Sequence, residues 1–418
     1  MELINWLLVL LYLVLALPGA GHALLFKRDP RSALGWITVC LMFPLAGPIF
    51  YFMLGINRIQ TRARKLESDS PFRIRGGNHC GDYISAFQIP PPLDEISRMA
   101  DAIVTRTLVC GNRIEPLCNG EAAYPAMLAA IEQAENYVFL SSYIFETNAT
   151  GLAFIAALNR AKNRGVDVKV ILDGFGELYS VPRAGTLLRK NGIRFARFLP
   201  PKLFPPTLRI NLRNHRKILV TDGRVGFAGG MNIGDRHLAE KRDNPKRVAD
   251  LHFRLTGPIV SQIEQVFLED WRFTTREHLT PGPVCPVERD NTICRAIVDG
   301  PNVRIDRLDM LLICAVSSAR REVLIMTPYF LPSPELVAAM HAAALRGVAV
   351  RVLLPEKNNL PVVHRATMNL LPDLLERGIE VRFQPPPLST PSSLWWIVIM
   401  PTSDRPTSTP GASASISK

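Results

Sequence analysis

Three side chains in one short stretch have the types and spacing to act together on phosphorus. His215, Lys217 and Asp222 stand as H-x-K-x4-D, and Gly229, Gly230 and Asn232 follow as G-G-x-N. An imidazole titrates near neutrality, so it can attack as a nucleophile or hand over a proton. An ammonium offers a compact point charge to phosphate oxygens. Ile218 and Val220, then a Thr-Asp-Gly-Arg turn, then Val225 and Phe227 alternate in the way that predicts two short strands joined by a hairpin. On a strand, side chains two apart share a face, so His215 and Lys217 point the same way while Asp222 falls at the turn. A polar hairpin on a solvated sheet edge carries the same short triplet; the longer pattern running on to G-G-x-N favours chemistry. His215, Lys217 and Asp222 are the catalytic candidates, and Asn232 and Gly230 the phosphate-binding ones.

The elements around this stretch must place it. Tyr124 to Ala134 has helical spacing, Tyr137 to Phe145 is rich in strand formers, and Gly151 to Arg164 returns to helical period. Val166 to Leu172 is a strand ending at Asp173-Gly174, followed by a helix over Ala184 to Lys190 and a strand over Ile193 to Phe198. Strands alternating with helices predict an α/β lobe with a mixed or parallel sheet.

The second half repeats the first. YVFLSSYIFETN at 137–148 matches EVLIMTPYFLPS at 322–333, and AALNRAKNRGVDVKVILDG at 156–174 matches MHAAALRGVAVRVLLPE at 340–356. LLRKNGIRFARFLPP at 187–201 matches LLERGIEVRFQPPP at 374–387. Three segments in the same order predict two similar lobes packed together. By this alignment a second H-x-K-x4-D belongs shortly after Pro387, yet residues 388–418 contain no His and only the terminal Lys. That tail accords with a shifted reading frame. Read one base earlier, permitted codons for 388–416 spell L-H-S-K-L-L-V-V-D-R-D-Y-A-H-I-G-S-A-N-I-D-P-R-S-L-R-L-N, the missing motif in the expected place. Trp has one codon, so Trp396 followed by the AT of Ile397 forces GAT, an Asp, where the motif requires one. As it stands, the run from Leu394 to Met400 is uncharged and β-prone, and 401–418 is rich in Ser, Thr and Pro, which predicts disorder.

At the other end, residues 3–26 and 32–57 carry no charged side chain, and each run exceeds the roughly 20 residues a bilayer-spanning helix needs. Lys27, Arg28, Asp29 and Arg31 separate them, and Arg58, Arg62, Arg64 and Lys65 follow. A signal peptide cut near Gly19 to Ala23 would open with positive charge, whereas Glu2 opens this one, so a transmembrane helical hairpin is the expectation over a signal peptide or two core helices. The balance of basic residues slightly favours a cytoplasmic body. The net charge of +12 points to an anionic partner, whether lipid, nucleic acid or phosphorylated substrate. Seven scattered cysteines without a C-x2-C pair support neither a zinc site nor a disulfide framework, and His79 beside Cys80 lacks further ligands.

Together, the two apolar runs, a basic linker and the two lobes resemble a bacterial cardiolipin synthase of the phospholipase D superfamily. YIFETN, ILDGFG, NHRKILVTDGRVGFAGGMNIGD, VFLEDW, TPYFLPS and LLPEKNN carry the resemblance, which runs over nearly the whole chain to Pro387. It implies a transmembrane hairpin followed by two phospholipase D-like α/β/α sandwich lobes, the second truncated. The expected organisation is a membrane anchor at 1–57, a linker at 58–96 and a first lobe at 97–280. A connector at 281–305, a partial second lobe at 306–387 and the aberrant tail at 388–418 complete it.

The implied reaction is phosphatidyl transfer between two phosphatidylglycerol molecules, giving cardiolipin and glycerol through a phosphohistidine, without metal or nucleotide. The implied setting is the bacterial inner membrane, multi-pass, among anionic lipids. His215 would be the nucleophile or the acid, Lys217 would neutralise phosphoryl charge and Asn232 would donate a hydrogen bond. Asp222, or a carboxylate elsewhere, would orient an imidazole nitrogen. The family's Trp ahead of an Asp is absent near Val248 and Ala249, although Asp250 and His252 remain. Without the second motif the activity of this chain is in doubt. A phospholipase D-type phosphodiesterase or nuclease would use the same triplet, with Lys241, Arg242, Lys246 and Arg247 on a nucleic-acid backbone. The apolar hairpin and the lack of interleaved aromatics count against nucleic acid. A catalytically inactive membrane protein is the third reading.

Overall fold

A computed structural model describes residues 14, 16–27, 30–56, 89, 93–104, 106–201, 213–241, 243–282, 292–298, 306–358, 360–385, 394–399 and 413–417. His79, Cys80 and most of the linker and connector lie outside them. The chain divides into an N-terminal unit and a larger body. In the N-terminal unit, residues 16–26 are helical, and α1 (Pro30–Met42), α2 (Ala46–Phe50) and a π-helical turn (Tyr51–Gly55) follow. Pro44 has no amide donor and its ring crowds the preceding turn, so the second apolar run breaks at 43–45. Ala20, Ala23, Cys40 and Tyr51 form a small core, while Leu25, Phe26, Leu34 and Met42 stay exposed. Among the described residues, no helix is long and apolar enough to cross a membrane.

The body begins with α3 (Leu93–Ile103), β1 (Val109–Cys118), α4 (Asn119–Gln133), β2 (Tyr137–Ser142) and α5 (Ala149–Asn163). It continues through β3 (Asp167–Asp173), α6 (Ala184–Lys190), β4 (Arg194–Phe198), β5 (Ile218–Thr221), β6 (Val225–Gly229), β7 (Leu251–Thr256), α7 (Ile259–Thr275) and β8 (Thr292–Cys294). These strands form one mixed sheet in the order β4-β3-β2-β5-β6-β7-β1-β8, with β2, β3 and β4 parallel and β5 antiparallel to β2. The period of two along β2 sets the layers. Val138 and Leu140 join Phe154 and Leu158 of α5 in the main core, whereas Phe139 faces the other way and stacks on Phe267 of α7 at 4.9 Å. Each such buried side chain contributes roughly 1.5–3 kcal/mol.

In the second half, α8 (Asp306–Ser318), β9 (Glu322–Met326), α9 (Pro334–Leu345), β10 (Ala349–Pro355), α10 (Pro361–Glu376), β11 (Glu380–Gln384), β12 (Leu394–Ile399) and β13 (Ser413–Ser417) build a smaller sheet. Its order, β11-β10-β9-β12-β13, repeats β4-β3-β2-β5-β6, including the parallel and antiparallel pairings. The duplication in the sequence is therefore a duplication of topology. In the tail, the β-prone run is the strand β12 on the open edge of β9, and Ser413–Ser417, within the stretch expected to lack order, is a strand paired with β12. Ile96 of α3 packs on the second core, and Ser318 Oγ donates to Glu95 at 2.7 Å. Cys40, Cys118, Cys294 and Cys314 are free thiols, but Cys110 is disulfide-bonded, a bond that the scattered spacing of the cysteines gave no support for.

Candidate active site

His215 and Lys217 lead into β5, whose N-terminal end lies beside the C-terminal ends of β2 and β3 because β5 runs antiparallel to them. Ligands of parallel sheets bind at such strand ends. The entry segment is fixed from two sides. Asn214 donates its backbone N–H to Asp173 Oδ2 at 3.2 Å and its side-chain amide to Asp270 Oδ2 of α7 at 2.9 Å. Arg216 forms an ion pair with the same buried Asp270.

The structure brings His215 and Lys217 together around Tyr143. The His215 ring stacks on Tyr143 with centroids 4.2 Å apart, and Lys217 Nζ lies 5.6 Å from that ring's centre. Lys217 is 6% exposed and donates to His215 O at 2.6 Å. Burial lowers its pKa to about 8, while Asp250 and Asp173 act in the opposite direction. Burial pushes the Tyr143 phenol up to about 12, with Tyr179 and Asp173 adding to the effect, so it stays protonated at neutral pH. His252, opposite Gly229 in the β6–β7 register, is buried with neither ring nitrogen bonded. Burial and the charge on Lys217 lower its pKa to about 3, so it is neutral. A side chain at Gly229 would run into that ring, its Cβ 2.7 Å from Nδ1, which accounts for the first glycine of G-G-x-N.

Asn232 is 1% exposed. Its Oδ1 accepts from Ile144 N at 3.0 Å, whereas its Nδ2 is buried without a partner. A buried amide donor left open is costly, and a phosphoryl oxygen would satisfy it. Gly230 is also buried and spends its N–H on Leu251 O at 3.0 Å, so it shapes the turn through its backbone.

Asp222 is placed differently. It sits at the far end of β5, in the hairpin turn at φ 53°, a left-handed conformation that Asp tolerates. Its carboxylate accepts the backbone N–H groups of Glu135, Asn136 and Tyr137, each at 2.8 Å. It thus ties the α4–β2 junction to the hairpin. Asp222→Ala removes the acceptor of three partly buried backbone donors and is expected to lower the unfolding free energy by about 2 kcal/mol, measurable by urea denaturation. The carboxylates that act on Lys217 are instead Asp173 and Asp250.

A pH dependence follows from Lys217. Between pH about 8 and 10.5 the unfolded chain holds a proton that the folded chain has released. Stability attributable to this group therefore rises with pH across that window, by about 3 kcal/mol. Urea titrations of the parent and of Lys217→Met are expected to show the rise only in the parent.

Of the basic residues set against a nucleic-acid backbone, Lys241 and Lys246 are exposed, Arg247 is half-buried and Arg242 lies outside the described residues. Among the described residues, no three His, Cys, Asp or Glu side chains gather as a metal site. Tyr143 and Asp173 were not singled out from the sequence for chemistry. Tyr143 lies in an apolar strand-like run and Asp173 at an ordinary strand end, and neither has a motif spacing of its own.

A sequence profile described as "Cardiolipin synthase, PLD-like domain" matches residues 127–271 and 312–392, and one described as "Phospholipase D-nuclease N-terminal" matches 6–55. The fold and the His-x-Lys strand thus belong to a phospholipase D-like protein. The cardiolipin synthase of Geobacillus kaustophilus is 30% identical over 361 residues, 85% of this chain and 72% of that protein. Cardiolipin synthase A of Pseudomonas putida is 30% identical over 400 residues, 91% of this chain and 80% of its own length. Among solved structures, phosphatidylserine synthase of Haemophilus influenzae is 12% identical with a TM-score of 0.49, covering 73% of this chain and 80% of that one. The chain belongs to the bacterial cardiolipin synthase family, the phospholipid phosphatidyltransferases of the phospholipase D superfamily.

Proposed function

We propose that the chain transfers the phosphatidyl group of one phosphatidylglycerol to the hydroxyl of another, with His215 as nucleophile. The imidazole lone pair attacks phosphorus, the bond to the glycerol oxygen breaks, and a phosphohistidine holds the phosphatidyl group. A proton donor protonates the departing glycerol and then takes the proton of the incoming hydroxyl as the phosphorus–nitrogen bond breaks. Lys217 neutralises charge on the phosphoryl oxygens, and Asn232 Nδ2 donates to one of them. The observation that carries this reading is the buried Lys217 beside the Tyr143–His215 stack; the unpartnered, buried amide of Asn232 in the G-G-x-N stretch that follows supports it. Asp222 serves the fold, and Asp173 or Asp250 takes over the electrostatic role. The proton donor is the second histidine, which residues 388–418 lack, so the chain as written is a half-site of low activity. The apolar surfaces of 16–27 and 30–56, and the profile matching 6–55, support a membrane-embedded anchor with the body in the bacterial cytoplasm.

Thin-layer lipid analysis of cells lacking cardiolipin, expressing this chain beside a full two-motif relative, tests the reaction type. We expect traces of cardiolipin with matching release of glycerol. Phosphatidic acid as the main product would replace the transferase reading with a phosphodiesterase. No new lipid, with the control active, would favour an inactive membrane protein. If Lys217 must be charged, kcat/KM falls tenfold per pH unit above about 8.

A further inference from the structure

The site opens between apolar residues that neither core accounts for. The loop after β3 carries Leu178, Tyr179 and Val181, exposed at 43, 54 and 94%. The loops after β9 and β10 and the first turn of α10 carry Leu331, Leu360 and Val362 at 53, 46 and 81%. All six follow the C-terminal ends of parallel strands, the end of each sheet where β5 in the first lobe begins with His215 and Lys217. Tyr143 links the two sets to the site. It stacks on His215, and the phenols of Tyr179 and Tyr329 both act on its ionisation.

The exposure is built in. In the first loop, Glu177 is 3% exposed and accepts from Gly185 N at 2.9 Å and Arg197 Nε at 2.5 Å. Asp173 Oδ1 takes the N–H groups of Phe175 and Gly176, and Thr147 Oγ1 donates to Pro182 O at 2.8 Å. In the second set, Asn358 Nδ2 donates to Pro328 O at 2.7 Å and Thr367 Oγ1 to Phe330 O at 3.0 Å. Polar anchors on the inside hold Leu, Tyr and Val outward, the reverse of what burial favours. Arg183 and Lys357 are exposed beside the apolar residues, in a chain of net charge +12. An apolar rim with a tyrosine and flanking cations matches a lipid interface, where aromatic rings lie at headgroup depth and cations meet anionic headgroups.

We propose that this rim dips into an anionic phospholipid bilayer, so that a lipid headgroup reaches His215 while its acyl chains stay among Leu178, Val181, Leu331, Leu360 and Val362. The inference rests on the proposed phosphatidyl transfer for its choice of site, but its test needs no turnover. The full chain is reconstituted in phosphatidylglycerol vesicles doped with a phosphatidylglycerol that bears a photoactivatable diazirine in its acyl chain. Peptides are then mapped by mass spectrometry. Labelling at Val181 and Val362 is expected at least about tenfold above that at Ile114, an apolar side chain exposed elsewhere on the body at 39%. A Val181→Asp and Val362→Asp double variant, its folding checked by circular dichroism, is expected to lose labelling at Leu178 and Leu360. In phosphatidylcholine vesicles the labelling should fall several-fold. Labelling no greater than at Ile114 would overturn the proposal, and equal labelling in the two lipids would overturn its anionic part. Because a chain without transferase activity would still be labelled, the two readings fail separately.

Discussion

Replacing residues 388–416 by the frame-shifted reading is expected to raise cardiolipin formation by about 10²–10⁴-fold, the usual contribution of a positioned general acid and base. The basis is topological. β12 pairs with β9 as β5 pairs with β2, so the tail occupies the position that carries the motif hairpin in the first lobe. The second sheet therefore presents a ready place for a second His-x-Lys strand. In the chain as written, an uncharged strand fills it and the leaving glycerol has no matched proton donor. The check is the initial rate of cardiolipin release from radiolabelled phosphatidylglycerol in vesicles, with the two chains at equal concentration. Equal rates would mean that the first lobe completes the chemistry alone. The codons across 380–418 supply a separate check, since bases incompatible with the shifted reading would remove that origin for the tail.

In the restored chain, His215→Ala is expected to abolish transfer by about 10⁴-fold or more, because removing a nucleophile removes the two-step route entirely. Lys217→Ala should cost less, on the order of 10²–10³-fold, the scale of a lost charge-stabilising donor. The substitution at His215 spares the supports of the hairpin. Asn214 and Arg216 keep their bonds to Asp270, so folding should be unchanged by circular dichroism while activity is lost. A His215→Ala variant that still forms a phosphohistidine on the other lobe, with a loss of about 10²–10⁴-fold, would assign the nucleophile to that lobe and leave His215 as the acid.

Much of this was legible from residue spacing because it depends on local period. The two-residue repeat placed His215 and Lys217 on one face of a strand; they fall instead in the irregular segment just before β5, and both lie against Tyr143. The repeated strand and helix segments announced two lobes, and the two sheets share one order. What depends on distant partners was not legible. Asp222 looked like a third chemical group, but its partners lie 85 to 87 residues earlier in the chain, at a junction that no local pattern connects to the hairpin. Ile96, at the end of the expected linker, packs on the second core, more than 200 residues on. Tyr143 became part of the site only because β2 and β5 are neighbours.

The central claim is that His215 carries the phosphatidyl group. Its direct test is to incubate the chain with phosphatidylglycerol labelled at phosphorus, quench, and locate the label by peptide mapping. A phosphorus–nitrogen adduct is stable in base and labile in acid. Such an adduct is expected on the peptide bearing His215, formed slowly in the chain as written because both steps lack the second histidine, faster in the restored chain, and absent from His215→Ala. Label on a different residue, or turnover to cardiolipin with no adduct at any time, would contradict it.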